Sequence, residues 1–219
     1  MNKVLQKLSR FYPDWLQRLL DLSLTVPALI ILAPFLLVIA GLVVVTSKGG
    51  AFYTQTRIGR HGVPFKLFKF RSMRPASDQQ GLLTVGDRDP RITPIGVFLR
   101  RYKIDELPQL WNVILGDMSI VGPRPEVQKY VQTYTPMQRA VLSVRPGLTD
   151  WASLYYLDED AILAGREDPE QAYIEDILPA KLDLSLRYIE RKSLFTDLKV
   201  ILQTLLAILR RPLPAQPLG

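Results

Sequence analysis

The chain has 219 residues, a formal net charge of +7, one histidine and no cysteine. That length holds one domain with a full core, or a small anchor plus one globular body. The composition excludes a disulfide framework, a thiolate metal site and a zinc centre built on several histidines. The basic balance favours anionic partners: nucleic acid, anionic lipid or phosphorylated small molecules.

Residues 22–47 (LSLTVPALIILAPFLLVIAGLVVVTS) carry no charge and are interrupted by Pro27 and Pro34. They exceed the roughly 20 residues one helix needs to cross a bilayer. The preceding residues resemble a signal peptide in charge, but they contain Trp15 and Asp21, and no A-x-A-like site follows. A retained anchor is the better reading. Both flanks are basic: Lys3, Lys7, Arg10 and Arg18 on one side, Lys48, Arg57, Arg60, Lys66, Lys69, Arg71 and Arg74 on the other. Both therefore favour the cytoplasmic side. Pro34 removes an amide donor near the middle and can kink or break the helix. A kinked span and a same-side, re-entrant hairpin are both compatible with this composition.

Past the anchor, residues 51–57 and 64–71 read as strands, with a turn at Gly59-Arg60-His61-Gly62. Residues 75–90 read as loop. A helix begins near Pro94, and Leu107, Leu110, Val113 and Ile114 have helical spacing. Gly116–Glu126 reads as a dense turn region, 127–143 as helical with a break at Pro136, and Arg145–Trp151 as a loop. Residues 158–180 are acidic and read as helical, with breaks at Pro169 and Pro179. Leu198, Ile201, Leu205 and Ile208 mark a final helix with an apolar face, placed either on the core or in the membrane interface.

Three segments have residue types suited to phosphate chemistry. Asp105-Glu106 follows Arg100, Arg101 and Lys103. One carboxylate can attack or coordinate while its neighbour handles a metal or a proton, and cations must screen both from a phosphate. On the dipeptide alone, a solvated surface pair is the commoner outcome. Gly122-Pro123-Arg124-Pro125-Glu126 fixes a tight path around a guanidinium suited to bidentate phosphate contact. Lys69 and Arg71 lie on one face if their segment is extended. Arg145 before Pro146-Gly147 is a weaker phosphate or base contact. No dinucleotide or Walker-type glycine loop is present. The charge alone suggests nucleic acid, but the anchor and the lack of basic-aromatic interleaving beyond 65–71 argue against it.

These segments together closely resemble the bacterial sugar transferase family, the small monotopic phosphoglycosyl transferases. The resemblance covers about residues 15–210. It runs from the anchor with its mid-membrane proline through Gln55, Arg57 and Gly59, then Lys69–Met73 (KFRSM), Asp87–Thr93, Gly96 and Leu99-Arg100. The most specific part is Asp105–Glu126 (DELPQLWNVILGDMSIVGPRPE), followed by Arg145–Thr149, Tyr188, Ser193 and Asp197–Lys199.

The resemblance implies an α+β monotopic fold with three parts. Residues 1–47 would be an interfacial segment plus a re-entrant helix-break-helix centred on Pro34. Residues 48–211 would be a small catalytic body on the cytoplasmic face of the bacterial inner membrane, with amphipathic interface helices. Residues 212–219 would be a flexible tail. It implies transfer of a sugar 1-phosphate from a nucleoside-diphosphate sugar, UDP being the expected carrier, to polyprenol phosphate, undecaprenyl phosphate being the expected acceptor. Asp105 would be the nucleophile and Glu106 its partner, both toward Mg²⁺. Arg100, Arg124, Lys69 and Arg71 would hold phosphate, Arg145 the nucleotide, and Gly122, Pro123 and Pro125 would shape the site. Membrane lipid, a second copy of the chain or downstream glycosyltransferases are the expected partners. The alternative is a catalytically inactive scaffold that binds lipid phosphate within a glycan assembly complex. Two positions depart from the family pattern: Ala33 stands where a serine usually precedes the breaking proline, and Asp150 where glycine usually follows the threonine.

Overall fold

The computed structural model describes residues 12–86 and 89–210. Lys3, Lys7, Arg10, Asp87, Arg88, Arg211 and the tail at 212–219 lie outside the described residues. Helices dominate. In chain order they are α1 (Asp14–Thr46), α2 (Pro94–Arg101), α3 (Gln109–Leu115), α4 (Gln128–Val131), α5 (Trp151–Tyr155), α6 (Glu159–Ala164), α7 (Pro169–Ala172), α8 (Leu178–Arg191) and α9 (Leu194–Leu209). Strands β1 (Phe52–Ile58) and β2 (Pro64–Phe70) form an antiparallel hairpin, with Gln55 opposite Leu67. Strands β3 (Ser119–Val121) and β4 (Gly147–Thr149) pair in parallel.

Helix α1 runs for 33 residues with both prolines inside it, about 50 Å at the ordinary helical rise. Its buried residues fall at Gln17, Asp21 and Thr25, then at Ile39 and Val43. Asp21 and Ile39, like Thr25 and Val43, are separated by about five turns, so both sets share one stripe. The first set meets β3 and α3. Asp21 Oδ1 accepts from Ser119 Oγ and from the Ile120 amide, each at 2.9 Å. Arg18 donates to the last carbonyls of α3, at Val113 and, at 2.7 Å, at Ile114, where a cation suits the helix dipole. The second set packs with Phe70 of β2 and Leu99 of α2. Both ends of the helix are therefore seated on the same body. The opposite face leaves Leu19, Ile30, Ile31, Leu37, Val38, Val44 and Val45 exposed, an apolar surface too large for a water-facing wall.

Helix α9 has the same division. Its N-cap Ser193 accepts from the Thr196 amide, and Asp197 and Val200 are buried. Phe195, Leu198, Leu202, Leu205, Leu206 and Leu209 are exposed.

Several local expectations hold. The hairpin, the turn at His61, the helix from Pro94 and the helix after Pro108 are present. Three readings need correction. Residues 127–143 contain only the short α4 and a 3-10 stretch at Gln138–Ser143. Pro179 does not break a helix; the chain passes from a π-helical turn at Tyr173–Ile177 into α8 with helical dihedrals throughout, and Pro179 follows that wider turn. The two segments read as turns and loop, Gly116–Glu126 and Arg145–Trp151, each contain a strand. Their strands approach so closely that a Cβ on Gly147 would lie 2.1 Å from the Gly122 nitrogen, and one on Gly122 would lie 2.5 Å from the Arg145 carbonyl. Glycine at both positions is what allows the pair to form.

Candidate active site

The β3–β4 pair presents the Pro123-Arg124-Pro125 turn. Gly122 N–H donates to the Thr149 carbonyl at 2.9 Å and Gly147 N–H to the Pro123 carbonyl at 2.9 Å. From behind, Arg57 on β1 donates to the Pro125 carbonyl at 3.1 Å and to Glu126 at 3.3 Å. Arg124 is thereby aimed at Glu106. Its Nη1 lies 3.1 Å from Oε2, and its Nη2 bonds Oε1, a bidentate fork. Lys69 Nζ on β2 meets the same Oε1 at 3.0 Å. Asn112 of α3 fixes that strand by mimicking a further strand edge: it accepts from the Phe68 amide at 3.0 Å and donates to the Lys66 carbonyl at 2.7 Å.

The dyad itself sits on a 3-10 turn, Ile104–Glu106, entered through Lys103 in the left-handed region at φ 55°. That reversal ends α2 and turns Asp105 inward. Asp105 is 3% exposed, and its Oδ1 has no hydrogen-bond partner. A buried carboxylate oxygen without a donor is costly to leave so. Burial pushes the Asp105 carboxyl above its ordinary value; Lys69 opposes this and the adjacent Glu106 charge adds to it. At Glu106 burial acts the same way, but the charges of Arg124 and Lys69 outweigh it and hold the group well below the usual carboxylate range. Lys69 is itself pushed down by burial despite Glu106. The pair is thus split: one carboxylate neutralised by two cations, one bare.

These residues line one cavity of about 1880 Å³. Lys69, Arg71, Arg100, Asp105, Glu106 and Arg124 share it, and it extends to Ala28 and Leu32 of α1 and Ile201 and Leu205 of α9. The lining therefore joins a charged group of side chains to apolar ones from two helices.

The other expected contacts are placed as follows. Arg71 lines the cavity but holds the chain before β1, donating to the carbonyls of Gly50 at 3.2 Å and Phe52 at 2.9 Å. Arg100 is paired with Asp160 of α6 at 2.8 Å. Arg145 is not among the residues lining the cavity; its Nε donates to the Gly116 carbonyl at 3.2 Å, at the far end of α3. Asp150, where glycine was expected, is fully buried as the N-cap of α5, accepting from the Ser153 amide at 2.7 Å and from Ser185 at 2.7 Å. Its role is structural. Asp89 and Arg91, within the resembling segment Asp87–Thr93, clamp a loop: Arg91 binds Asp89 and the carbonyls of Ser77, Gly81 and Leu83.

Sequence reasoning missed the layer behind Arg124. Glu126 accepts from Tyr173 at 2.6 Å; Lys181 bonds Glu159 at 2.7 Å and lies 3.7 Å from Glu126. The residues come from β1, α6, α7–α8 and the turn after β3, and no short-range pattern joins them.

Among the described residues, no group of three His, Cys, Asp or Glu side chains could hold a metal ion. Mg²⁺ is commonly bound by only one or two carboxylates plus substrate phosphates. The unpartnered Oδ1 of Asp105 fits that need. Glu106 has both oxygens engaged by cations in this arrangement.

A buried carboxylate pair, a lysine and arginines thus share one cavity with residues of the long apolar helix α1. Residues 12–211 match the family model described as bacterial sugar transferase, and the chain belongs to that family. It is 34% identical over 193 residues to the UDP-glucose:undecaprenyl-phosphate glucose-1-phosphate transferase of Escherichia coli (strain K12), covering 86% of this chain and 39% of that protein. It is 32% identical over 198 residues to the UDP-N-acetylgalactosamine-undecaprenyl-phosphate N-acetylgalactosaminephosphotransferase of Aeromonas hydrophila, covering 89% and 44%. With the exopolysaccharide production protein PSS of Rhizobium leguminosarum bv. phaseoli it shares 35% identity over 203 residues, 90% of this chain and 96% of that one. The chain thus spans about two fifths of the length of the first two.

Proposed function

We propose that this chain transfers a sugar 1-phosphate from a nucleoside-diphosphate sugar, with UDP as carrier, to undecaprenyl or a similar polyprenyl phosphate, through a phosphosugar bound to Asp105. The observation that carries the reading is the split dyad: a bare, buried Asp105 oxygen next to a Glu106 fixed by Lys69 and Arg124. In the first half-reaction, an Asp105 carboxylate oxygen forms a bond to the β-phosphorus. The bond from that phosphorus to the bridging oxygen breaks, and nucleoside monophosphate departs. In the second, a phosphate oxygen of the lipid attacks the same phosphorus and Asp105 leaves, giving polyprenol diphospho-sugar. The two steps give ping-pong kinetics. Arg124 and Arg100 neutralise phosphate oxygens, and Glu106 keeps Arg124 and Lys69 aimed into the cavity. When bound, Mg²⁺ supplies charge neutralisation at the phosphates; Asp105 and donor phosphate oxygens would hold it.

Membrane placement belongs to the same proposal. Both ends of α1 rest on one body through a single stripe, and a helix crossing alone would carry one end away from it. This supports a monotopic chain whose body lies on the cytoplasmic face. A re-entrant bend at Pro34 would then be a kink inside a continuous helix rather than an unwound break. The absence of cysteine makes topology directly testable: cysteines replacing Trp15 and Lys48 should react with an impermeant maleimide from the cytoplasmic side only. Labelling of the two from opposite sides would refute the placement. For the reaction, the purified chain with Mg²⁺, polyprenyl phosphate and a panel of nucleotide sugars should release nucleoside monophosphate and form lipid-linked sugar. Asp105→Asn should do neither and should form no covalent phosphosugar adduct.

A further inference from the structure

The acidic segment at 158–160 found no role in the sequence, yet it closes one wall of the cavity. Asp158, Glu159 and Asp160 all line it, together with Arg100 and the dyad. Asp160 Oδ2 lies 2.8 Å from Arg100 Nη2. Arg100 is close enough to Asp105 that its charge opposes ionisation loss there. A carboxylate thus sits on one of the cations expected to meet the donor's diphosphate.

The backbone around Asp160 is well held. Its carbonyl accepts from the Gly86 amide at 2.8 Å, Leu163 one turn on is buried in the core, and neighbouring Glu159 is bonded to Lys181 at 2.7 Å. The ion pair itself is open, with the Asp160 side chain 37% exposed and that of Arg100 25% exposed. Part-exposed pairs are weak and exchangeable. A diphosphate brings more charge and more acceptor oxygens to the same guanidinium, and it cannot share that guanidinium with a carboxylate without repulsion. The side chain can leave by rotating, with α6 in place.

We infer that Asp160 is a placeholder for a donor phosphate oxygen on Arg100: it keeps the guanidinium neutralised and directed into the empty cavity, and is displaced when the nucleoside diphosphate binds. This rests on the proposed reaction, in which Arg100 meets phosphate. It makes Asp160 a positioning residue that sets donor affinity, acting through Arg100 alone.

The test is UDP binding by calorimetry to the full chain in nanodiscs, at one fixed salt concentration, with KM and kcat for the nucleotide sugar measured in parallel. Asp160→Asn should tighten UDP by about two- to fivefold, the scale of one part-exposed ion pair. KM for the donor should fall by a similar factor without a rise in kcat. Asp183→Asn removes an equal charge at an exposed position on α8, paired with Arg187 and away from the cavity lining, so it should give a smaller gain. In an Arg100→Ala background, Asp160→Asn should change nothing. Unchanged or weaker UDP binding in Asp160→Asn overturns the inference. So does an equal gain from Asp183→Asn, or a gain that survives without Arg100. Turnover by Asp105→Asn, or a wild-type chain that does not bind UDP, would instead strike the underlying reaction, and the inference with it.

Discussion

Two of the buried acidic clusters among the described residues are built from opposite materials. In the cavity, Asp105 and Glu106 are surrounded by Lys69, Arg124 and Arg100. Under the N-terminal half of α1, Asp197 accepts from Tyr12 at 2.7 Å and Tyr188 at 2.8 Å, while Asp21 accepts from Ser119 and a backbone amide. Hydroxyls and amides hold these carboxylates, although Asp21 Oδ2 is left without a partner, and they carry no positive charge for a second anion. Cations satisfy it and also attract any phosphate that enters. The second cluster therefore holds the helix to the body, and the first is the one proposed to do chemistry. The distinction is testable because the clusters should fail differently.

The largest expected effect is in the cavity. Asp105→Asn removes the proposed nucleophile and should lower kcat by at least ~10³-fold, with the folded state intact by circular dichroism. Glu106→Gln keeps the nucleophile but frees Lys69 and Arg124, so the loss should be nearer ~10²-fold. It should also move the acid limb of kcat/KM. The Asp105 carboxyl is raised by burial and further by the Glu106 charge, and attack needs the deprotonated form. Wild-type activity should therefore fall with decreasing pH above the ordinary carboxylate range, and in Glu106→Gln that limb should shift to lower pH. A shift to higher pH would refute the Glu106 charge as a cause of the raised Asp105 carboxyl, since the freed Lys69 cation also acts to lower it.

The two clusters also differ in how far the sequence revealed them. Asp105, Glu106 and Arg124 fall within 20 residues of one another, in a run whose prolines, glycines and acid pair are unusual together. That they belong together could be read without a structure, and the structure brings them to one cavity. Tyr12 and Asp197 are 185 positions apart, and Ser119 and Asp21 are 98 apart. Nothing local marks a tyrosine or serine as a partner to a distant acid. Asp197 instead read as part of a helix start. The β3–β4 pair was hidden for a related reason. Its strands are three residues each, and the glycines that permit their close approach are the same residues that signal turns. At Arg145, the neighbours Pro146-Gly147 that fit a phosphate loop also serve the parallel strand pair, Gly147 lying opposite Ser119.

A middle-sized effect is expected from Asp197→Asn. Burial lifts the Asp197 carboxyl from 3.8 to about 6, with the tyrosine hydroxyls opposing. A group that binds its proton more tightly when folded favours the folded state below its unfolded pKa. That advantage is lost as pH rises through the folded value. The loss between about pH 4 and 6 is roughly 3 kcal/mol. Melting of the wild-type chain in nanodiscs should therefore drop more steeply between pH 4.5 and 6.5 than melting of Asp197→Asn. Equal slopes would mean that Asp197 does not carry the titration.

The smallest effect separates holding from chemistry most sharply. Ser119 Oγ donates to Asp21 and accepts from Gln17 Nε2 at 2.9 Å. In Ser119→Ala, Gln17 keeps the Val121 carbonyl at 3.1 Å and Asp21 keeps the Ile120 amide, so about 1 kcal/mol of stability should be lost. Turnover at saturating substrates should stay within about twofold, because a hydrogen bond beneath α1 contributes nothing to charge at the β-phosphorus. Ser119 nevertheless begins the strand whose far end carries Pro123-Arg124-Pro125, and its own amide donates to the Pro146 carbonyl at 2.8 Å. If kcat falls tenfold or more while melting barely changes, the seat of the helix sets the aim of Arg124, and the two clusters form one device rather than two.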